Sequence, residues 1–414
     1  MPDSDFRLRQ IFLSAFGPSI LFGIAQGAIF PVIALTSLQL HPSHAVSGTI
    51  VALIGLGSLI NNIPAAMLTS RVGERRAMIG TAMFSALGVM LCLYAPHVAI
   101  LALGVFMQGM SQSVFYLARQ SFLIDAVPLH LRARAFSTLG GCQRLGLFVG
   151  PFMAAAAMEV GGIAGAYWIA VVALIATALL CLAIPELEAT KKQPTTHQKH
   201  ESGEQAKIRP TPQPQSMWTV AKHYRHTLLT IGIGVMLIGA LRASRPIVLP
   251  LWSEHIGLSP SMTAVVFGIV SAIDVLMFYP AGKVMDEYGR LWVALPCTLL
   301  LGLSFMLIPL ASHLPAFIAV ALVMGFGNGI GSGIMMTLGA DAAPKNGRIA
   351  FLGLWRLLSD VGTSSGPFIL AGVTAMVSLG AGIATIGVSG LLAAAIFWRF
   401  IPPHKPAPTA KTDT

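Results

Sequence analysis

Six ionisable residues stand in strongly apolar surroundings: Asp274, Asp360, Arg144, Arg242, Arg245 and Arg356. A charge in such a setting is costly, so each is read as a functional residue with a partner to be found. A carboxylate beside an arginine in low dielectric has its proton affinity lowered by the cation and raised by desolvation. A movement that separates the two favours protonation, which is the chemistry of a proton-coupled device. Arg144 and Asp274 each lie about 15 Å from the same edge of a membrane, by helical rise, and form one expected pair. Arg356 and Asp360 sit one helical turn apart and form a second. The rival for both is a static bridge that fixes helix register. Arg242 and Arg245, just before Pro246, could hold an anionic group of a substrate, or Arg245 could snorkel to the interface. Gln26, Gln108, Ser111, Gln112, Tyr116, Asn328 and Ser332 are polar residues inside apolar runs and face either a cavity or a neighbouring helix.

The elements that position these residues must be membrane spans. The 414 residues are 55% hydrophobic and 10% charged, with a mean hydropathy of +0.75. Soluble domains carry about 25% charge, so that class is excluded. Twelve apolar runs are long enough to cross a bilayer: 11–38, 48–69, 77–95, 98–117, 135–158 and 163–185, then 227–252, 263–284, 291–310, 316–338, 350–373 and 381–400. The formal charge of +10 resides mainly in the gaps, where topology accounts for it, so no nucleic-acid partner is assigned. Cys92, Cys142, Cys181 and Cys297 lie in apolar runs without metal-ligand spacing and read as core residues. All eleven histidines are placed in loops or tails, which removes a buried histidine relay. The first apolar run is too long for a cleaved signal and reads as a retained span.

Arg7, Arg9, Arg71, Arg75, Arg76, Arg119, Arg132, Arg134, Lys283, Arg290, Lys345, Arg348, Lys405 and Lys411 all read as residues on one side of the membrane. Loops 39–47, 96–97 and 312–315 on the other side carry no lysine or arginine. The positive-inside rule therefore puts both termini in the cytoplasm. A bacterial inner membrane is the expected location. Segment 186–226 is polar, aperiodic and proline-bearing, a disordered cytoplasmic linker between a half at 1–185 and a half at 227–401, with a tail at 402–414.

At an offset of 216 residues Pro64 falls on Pro280, Gly73 on Gly289, Gly109 on Gly325, Asp125 on Asp341, Arg132 on Arg348, Gly146 on Gly362 and Gly150 on Gly366. One gapless register over four spans indicates duplication. Two parallel six-helix halves are an arrangement of alternating-access transporters, with substrate held between the halves near mid-membrane.

The run Gly282-Lys283-Val284-Met285-Asp286-Glu287-Tyr288-Gly289-Arg290 resembles the G-x-x-x-D-R-x-G-R loop of the major facilitator superfamily. Its first-half counterpart is degraded, with Ala66 and Ser70 replacing the glycine and aspartate but Arg71, Gly73, Arg75 and Arg76 present. Gly146-Leu147-Phe148-Val149-Gly150-Pro151 resembles the fifth-span motif of the 12-span drug/proton antiporter branch, and Gly362, Gly366 and Pro367 repeat it. The resemblance implies an all-α membrane protein, twelve transmembrane helices in two pseudo-symmetric six-helix halves. It also implies a gate in which Asp125 meets Arg71 or Arg75 and Asp341 meets Arg290, and it sets spans five and eight face to face. The fourth-span arginine of that branch is Val105 here, so its proton relay does not carry over.

The expected function is proton-coupled efflux of a small organic compound by alternating access, with Asp274 favoured over Asp360 for coupling. The alternatives are an uptake symporter or organic-anion permease, or a non-transporting receptor. No enzyme motif is present, and no cofactor or metal is expected. The partners are a small-molecule substrate, protons and lipid, and a monomer contains both halves of the cavity.

Overall fold

A computed structural model describes residues 12–127, 132–182, 217–344 and 347–401. The first half contains α1 (Phe12–Leu40), α2 (His44–Val72), α3 (Glu74–Leu93), α4 (Val98–Ala126), α5 (Arg132–Gly161) and α6 (Ile163–Leu182). The second half begins with the short helices α7 (Met217–His223) and α8 (Arg225–Leu229) and continues through α9 (Ile231–His255), α10 (Pro260–Glu287) and α11 (Leu291–Leu307). It ends with α12 (Leu314–Ile330), α13 (Ile334–Ala342), α14 (Arg348–Met376) and α15 (Leu379–Phe400).

Within lipid every backbone N–H and C=O must be paired inside the segment, and so these apolar runs are helical despite prolines at 18, 31, 64, 151, 246, 250, 280, 296 and 367. Among the described residues eleven helical runs are long and apolar enough to cross a membrane. The twelfth span is α14, whose middle carries Ser359, Asp360, Thr363, Ser364 and Ser365 and does not stand out by hydropathy. The spans alternate in direction, which leaves the described chain ends on one face, here the termini side. On the far side the repeat-equivalent Ser43 and Ser259 cap α2 and α10 by accepting from the amides of Val46 and Met262.

Two sequence expectations are corrected. The tenth span is not continuous: α12 stops at Ile330 and α13 starts at Ile334, because Gly333 takes φ +83°, a left-handed turn that other residues rarely adopt. The end of the expected linker is also ordered as helix: α7 packs on α14, and α8 leads into α9 through a break at Thr230. Residues 183–216 and 402–414 lie outside the described residues.

The halves meet through α5 with α10 and α2 with α14, and α1 also touches α9 and α10. Contact is concentrated on the far side. There a Cβ on Gly48 would stand 3.3 Å from that of Ala371, and His44 of α2 pairs with Glu254 of α9 at 3.0 Å. Far of the midpoint α2 buries Ser47, Gly48, Ile50, Val51, Ala52 and Gly57; beyond Asn61 it buries only Ala65 and Thr69. The same change occurs in α10, which beyond Ser271 buries only Ala281 and Met285, the repeat-equivalent positions. The two halves are therefore closed on the far side and parted towards the termini.

Candidate functional site

A cavity of about 320 Å³ lies between the halves, roughly midway along the helices that line it. The first half supplies Phe30 from α1, Ser58 from α2, and Gln112 and Tyr116 from α4; the second supplies Pro246 from α9 and Asp360 from α14. The Asp360 carboxylate is 3.8 Å from Arg356 on the preceding turn, and its side chain is 32% exposed. Arg356 is far more exposed than its partner, so this pair is loose.

Asp274 stands in a tighter arrangement. Its Oδ1 is 3.4 Å from Arg144 of the opposite half, and its Oδ2 is 3.3 Å from Arg245 and accepts from Asn328 Nδ2 at 2.7 Å. The Arg144 guanidinium also stacks on the Phe278 ring at 4.7 Å, a cation–π contact. Arg245 is thus drawn inward to a carboxylate rather than snorkelling to the interface. One of its guanidinium nitrogens, Nη1, is buried with no hydrogen-bond partner.

Arg242 is engaged with the broken tenth span. Its Nε donates to Asn328 Oδ1 at 2.8 Å, its Nη2 to the Asn328 carbonyl at 3.0 Å and its Nη1 to the Gly331 carbonyl at 3.0 Å. These carbonyls lie where α12 ends: the arginine supplies a donor to the Asn328 carbonyl, and adds one to the Gly331 carbonyl, which also accepts from the Ile334 amide at 3.2 Å. Gln26, its repeat equivalent on α1, accepts from the Tyr116 hydroxyl on α4 at 2.9 Å, and Gln112 donates to that hydroxyl at 3.1 Å. Each half therefore ties its first helix to its fourth with a polar contact at the same level.

Gln108 does not face this cavity. It is clamped to α3, accepting from Ser85 Oγ at 2.6 Å and donating to the Ser85 carbonyl at 2.7 Å. Among the residues with interior polar contacts, sequence reasoning missed Arg119 and Gln143. The sequence places Arg119 beyond the end of the fourth span, but α4 continues to Ala126 and the side chain is buried, donating to Gln143 Oε1 and lying 4.6 Å over the Tyr116 ring. Gln143 in turn donates to the Tyr116 hydroxyl. Ala118, Phe122 and Leu123 are buried around Arg119, and their helical spacing is the signal that could have extended the span.

On the termini side Arg290 joins α10 to α13. It donates to Asp341 at 2.8 Å, to Asp286 at 3.3 Å and to the Met285 carbonyl at 2.9 Å. The hydrogen bond to Asp341, ahead of the other contacts, holds the Arg290 guanidinium above its ordinary proton affinity. Gly73 and Gly289 close the two matching loops at φ +88° and +98°, where a side chain would be strained. Gly282 has open space where its Cβ would be, so packing alone does not require it. In the first half Arg75 donates to the carbonyls of Cys181, at 3.2 Å, and Leu182, at the end of α6, while Arg71 is exposed. The Asp125 side chain lies outside the described residues, so its expected pairing is not described.

The fifth-span glycines serve close helix approach. A Cβ on Gly146 or Gly150 would strike the carbonyls of Ile20 or Ile24 on α1, and one on Gly362 or Gly366 those of Met236 or Ala240 on α9. The struck residues are themselves 216 apart, so the duplication extends to the contacts.

Two six-helix halves around one mid-depth cavity with an ion pair bridging them define a membrane carrier fold. The chain belongs to the Major Facilitator Superfamily, whose profile matches residues 16–273 and 231–414, and it is a multi-pass membrane transporter of that class. Among solved structures it is similar to the nucleoside transporter NupG, at 11% identity and a TM-score of 0.73 over 94% of this chain and 99% of that one. It is also similar to a D-xylose-proton symporter, at 16% identity and a TM-score of 0.67, over 96% and 98% of the two chains. A third is a bacterial homologue of the human lysosomal transporter Spinster, inward-facing and unoccupied, at 13% identity and a TM-score of 0.70, over 98% and 100%. At these identities the likeness concerns the fold. No curated protein matches the chain in sequence.

Proposed function

We propose that this transporter works by alternating access and exports a small organic compound in exchange for protons. The observation that carries the reading is the position of Asp274: a carboxylate of the second half, held at 3.4 Å by Arg144 of the first, beside the plane across which the halves must rock. When rocking draws Arg144 away, Asp274 loses one of its two cations and is left open to exchange that partner for a proton. Asp360, which lines the cavity and has only a loose partner, is the second candidate carrier of a proton. With the termini side as the cytoplasm, the arrangement described is the cytoplasm-open state, ready to receive a compound for export.

A second reading, an organic-anion permease without proton exchange, has its own support in the two guanidinium groups, Arg144 and Arg245, on the single Asp274 carboxylate, with a third, Arg242, linked to it through Asn328. Purified protein in liposomes with a trapped pH dye separates the two. Lipophilic cations, neutral drugs and organic anions are offered in turn. Substrate-induced proton movement is expected; anion flux without proton movement would favour the permease.

A further inference from the structure

The first half contains a buried cation that the coupling scheme does not use. Arg119 is 7% exposed, and its Nε and Nη1 are buried without a hydrogen-bond partner. Its Nη2 reaches only the neutral Gln143, and its face rests on Tyr116. The titratable groups closest to it are Tyr116 and Cys142, neither of which is a carboxylate. The only acids in the sequences of α1 to α5 are Glu74, Asp125 and Glu159, all near helix ends, and Glu74 accepts from Ser121 rather than from Arg119. A buried guanidinium normally has a carboxylate or a set of carbonyls, as Arg242 and Arg245 do, because an uncompensated charge in low dielectric is strongly unfavourable. The repeat partner of Arg119 is Met335, so this position in the duplicated fold does not require a charge.

We infer that Arg119 is a subsite for an oxyanion, the carboxylate or phosphate of a substrate, with Gln143, Gln26 and Tyr116 as its neutral surround. The inference rests on the reading of the central cavity as the substrate site. Tyr116 lines that cavity on one hand and carries the guanidinium at 4.6 Å on the other. Arg119 follows it by three residues on the same face of α4, towards the side on which the halves are parted. A compound in the cavity thus places its apolar body among Phe30, Leu59 and Pro246 and turns its anionic end past the Tyr116 ring, where Nε and Nη1 supply the two donors that are idle without it. The cation excess around Asp274 favours the same sign of substrate.

The test is binding to the purified full-length protein, measured by calorimetry and thermal unfolding with benzoate and phenyl phosphate, and with benzamide as the neutral match for benzoate. At least one of the two anions is expected to bind and raise Tm, and benzamide is not. Arg119→Gln should weaken anion binding roughly tenfold or more, the loss of a charged hydrogen-bond donor, while raising the Tm of the unliganded protein because the naked charge is gone. Arg119→Lys, which keeps the charge but not the paired donors, should fall between and serves if the glutamine variant does not fold. The inference is overturned if neither anion binds, if benzamide binds as well as benzoate, or if Arg119→Gln binds the anions as the parent does. It is also overturned if phosphatidylglycerol alone gives the Arg119-dependent shift, which would make the site one for a lipid headgroup. Because this is an equilibrium measurement, anion binding without proton flux would remove the coupling scheme and leave the subsite, and flux of neutral compounds alone would do the reverse.

Discussion

At the scale of single residues, the interior charges differ in whether they have partners. Asp274 shares itself between Arg144 and Arg245 and accepts from Asn328, so exchanging charges across the interface is not a clean swap. Arg144→Asp alone brings a second carboxylate to Asp274 and should sharply reduce the yield of folded protein in size-exclusion chromatography. Combining it with Asp274→Arg restores the cross-half attraction but sets the new arginine against Arg245, so recovery should be partial; no recovery would count against the contact. Asp341→Asn should weaken the hold of Arg290 and cost about 1 kcal/mol or less of stability, read as a modestly lower Tm, since this pair is solvent-accessible. The Arg144 to Asp274 pairing was legible in the sequence because both residues are isolated charges at equal depth. The part played by Arg245 was not, since its distance from the span end fits snorkelling equally well. Arg119 was hidden for a different reason: a basic residue near the edge of an apolar run looks like a topology signal until the helix is seen to continue past it.

At the scale of elements, close helix approach sets the tolerances. Gly150 and Gly366 sit against the backbones of α1 and α9, and Leu at either position must push two helices apart. Each substitution is expected to cost about 1–3 kcal/mol, the usual range for overpacking, read as a lower Tm, whereas Gly282→Ala, in open space, should leave Tm unchanged. Span positions were legible from hydropathy and the 216-residue register, which also locates α14 where its polar face conceals it. The break between α12 and α13 was not, although Gly329, Gly331 and Gly333 stand together there, because apolar runs with glycines also form unbroken spans. Besides the backbone bonds of the turn itself, Arg242, 86 positions or more away in sequence, donates to two carbonyls at the break.

At the scale of the whole molecule, the central claim is that two rigid halves exchange contact between the far side and the termini side, with Asp274 reporting the exchange as a proton. Gly48 and Ala371 are close enough for a disulfide when both are changed to cysteine. The four native cysteines are buried and leave such a cross-link specific. The double variant should be inactive when oxidised and recover transport on reduction; undiminished transport in the oxidised form would show that the far side need not open. The most direct measurement is transport by Asp274→Asn in liposomes, following substrate accumulation driven by a pH gradient alongside substrate exchange at equal pH. The account predicts that accumulation is abolished while exchange continues, because rocking survives without the proton-binding carboxylate. Accumulation at the parental rate would contradict it outright, and loss of both activities together would make Asp274 a structural bridge.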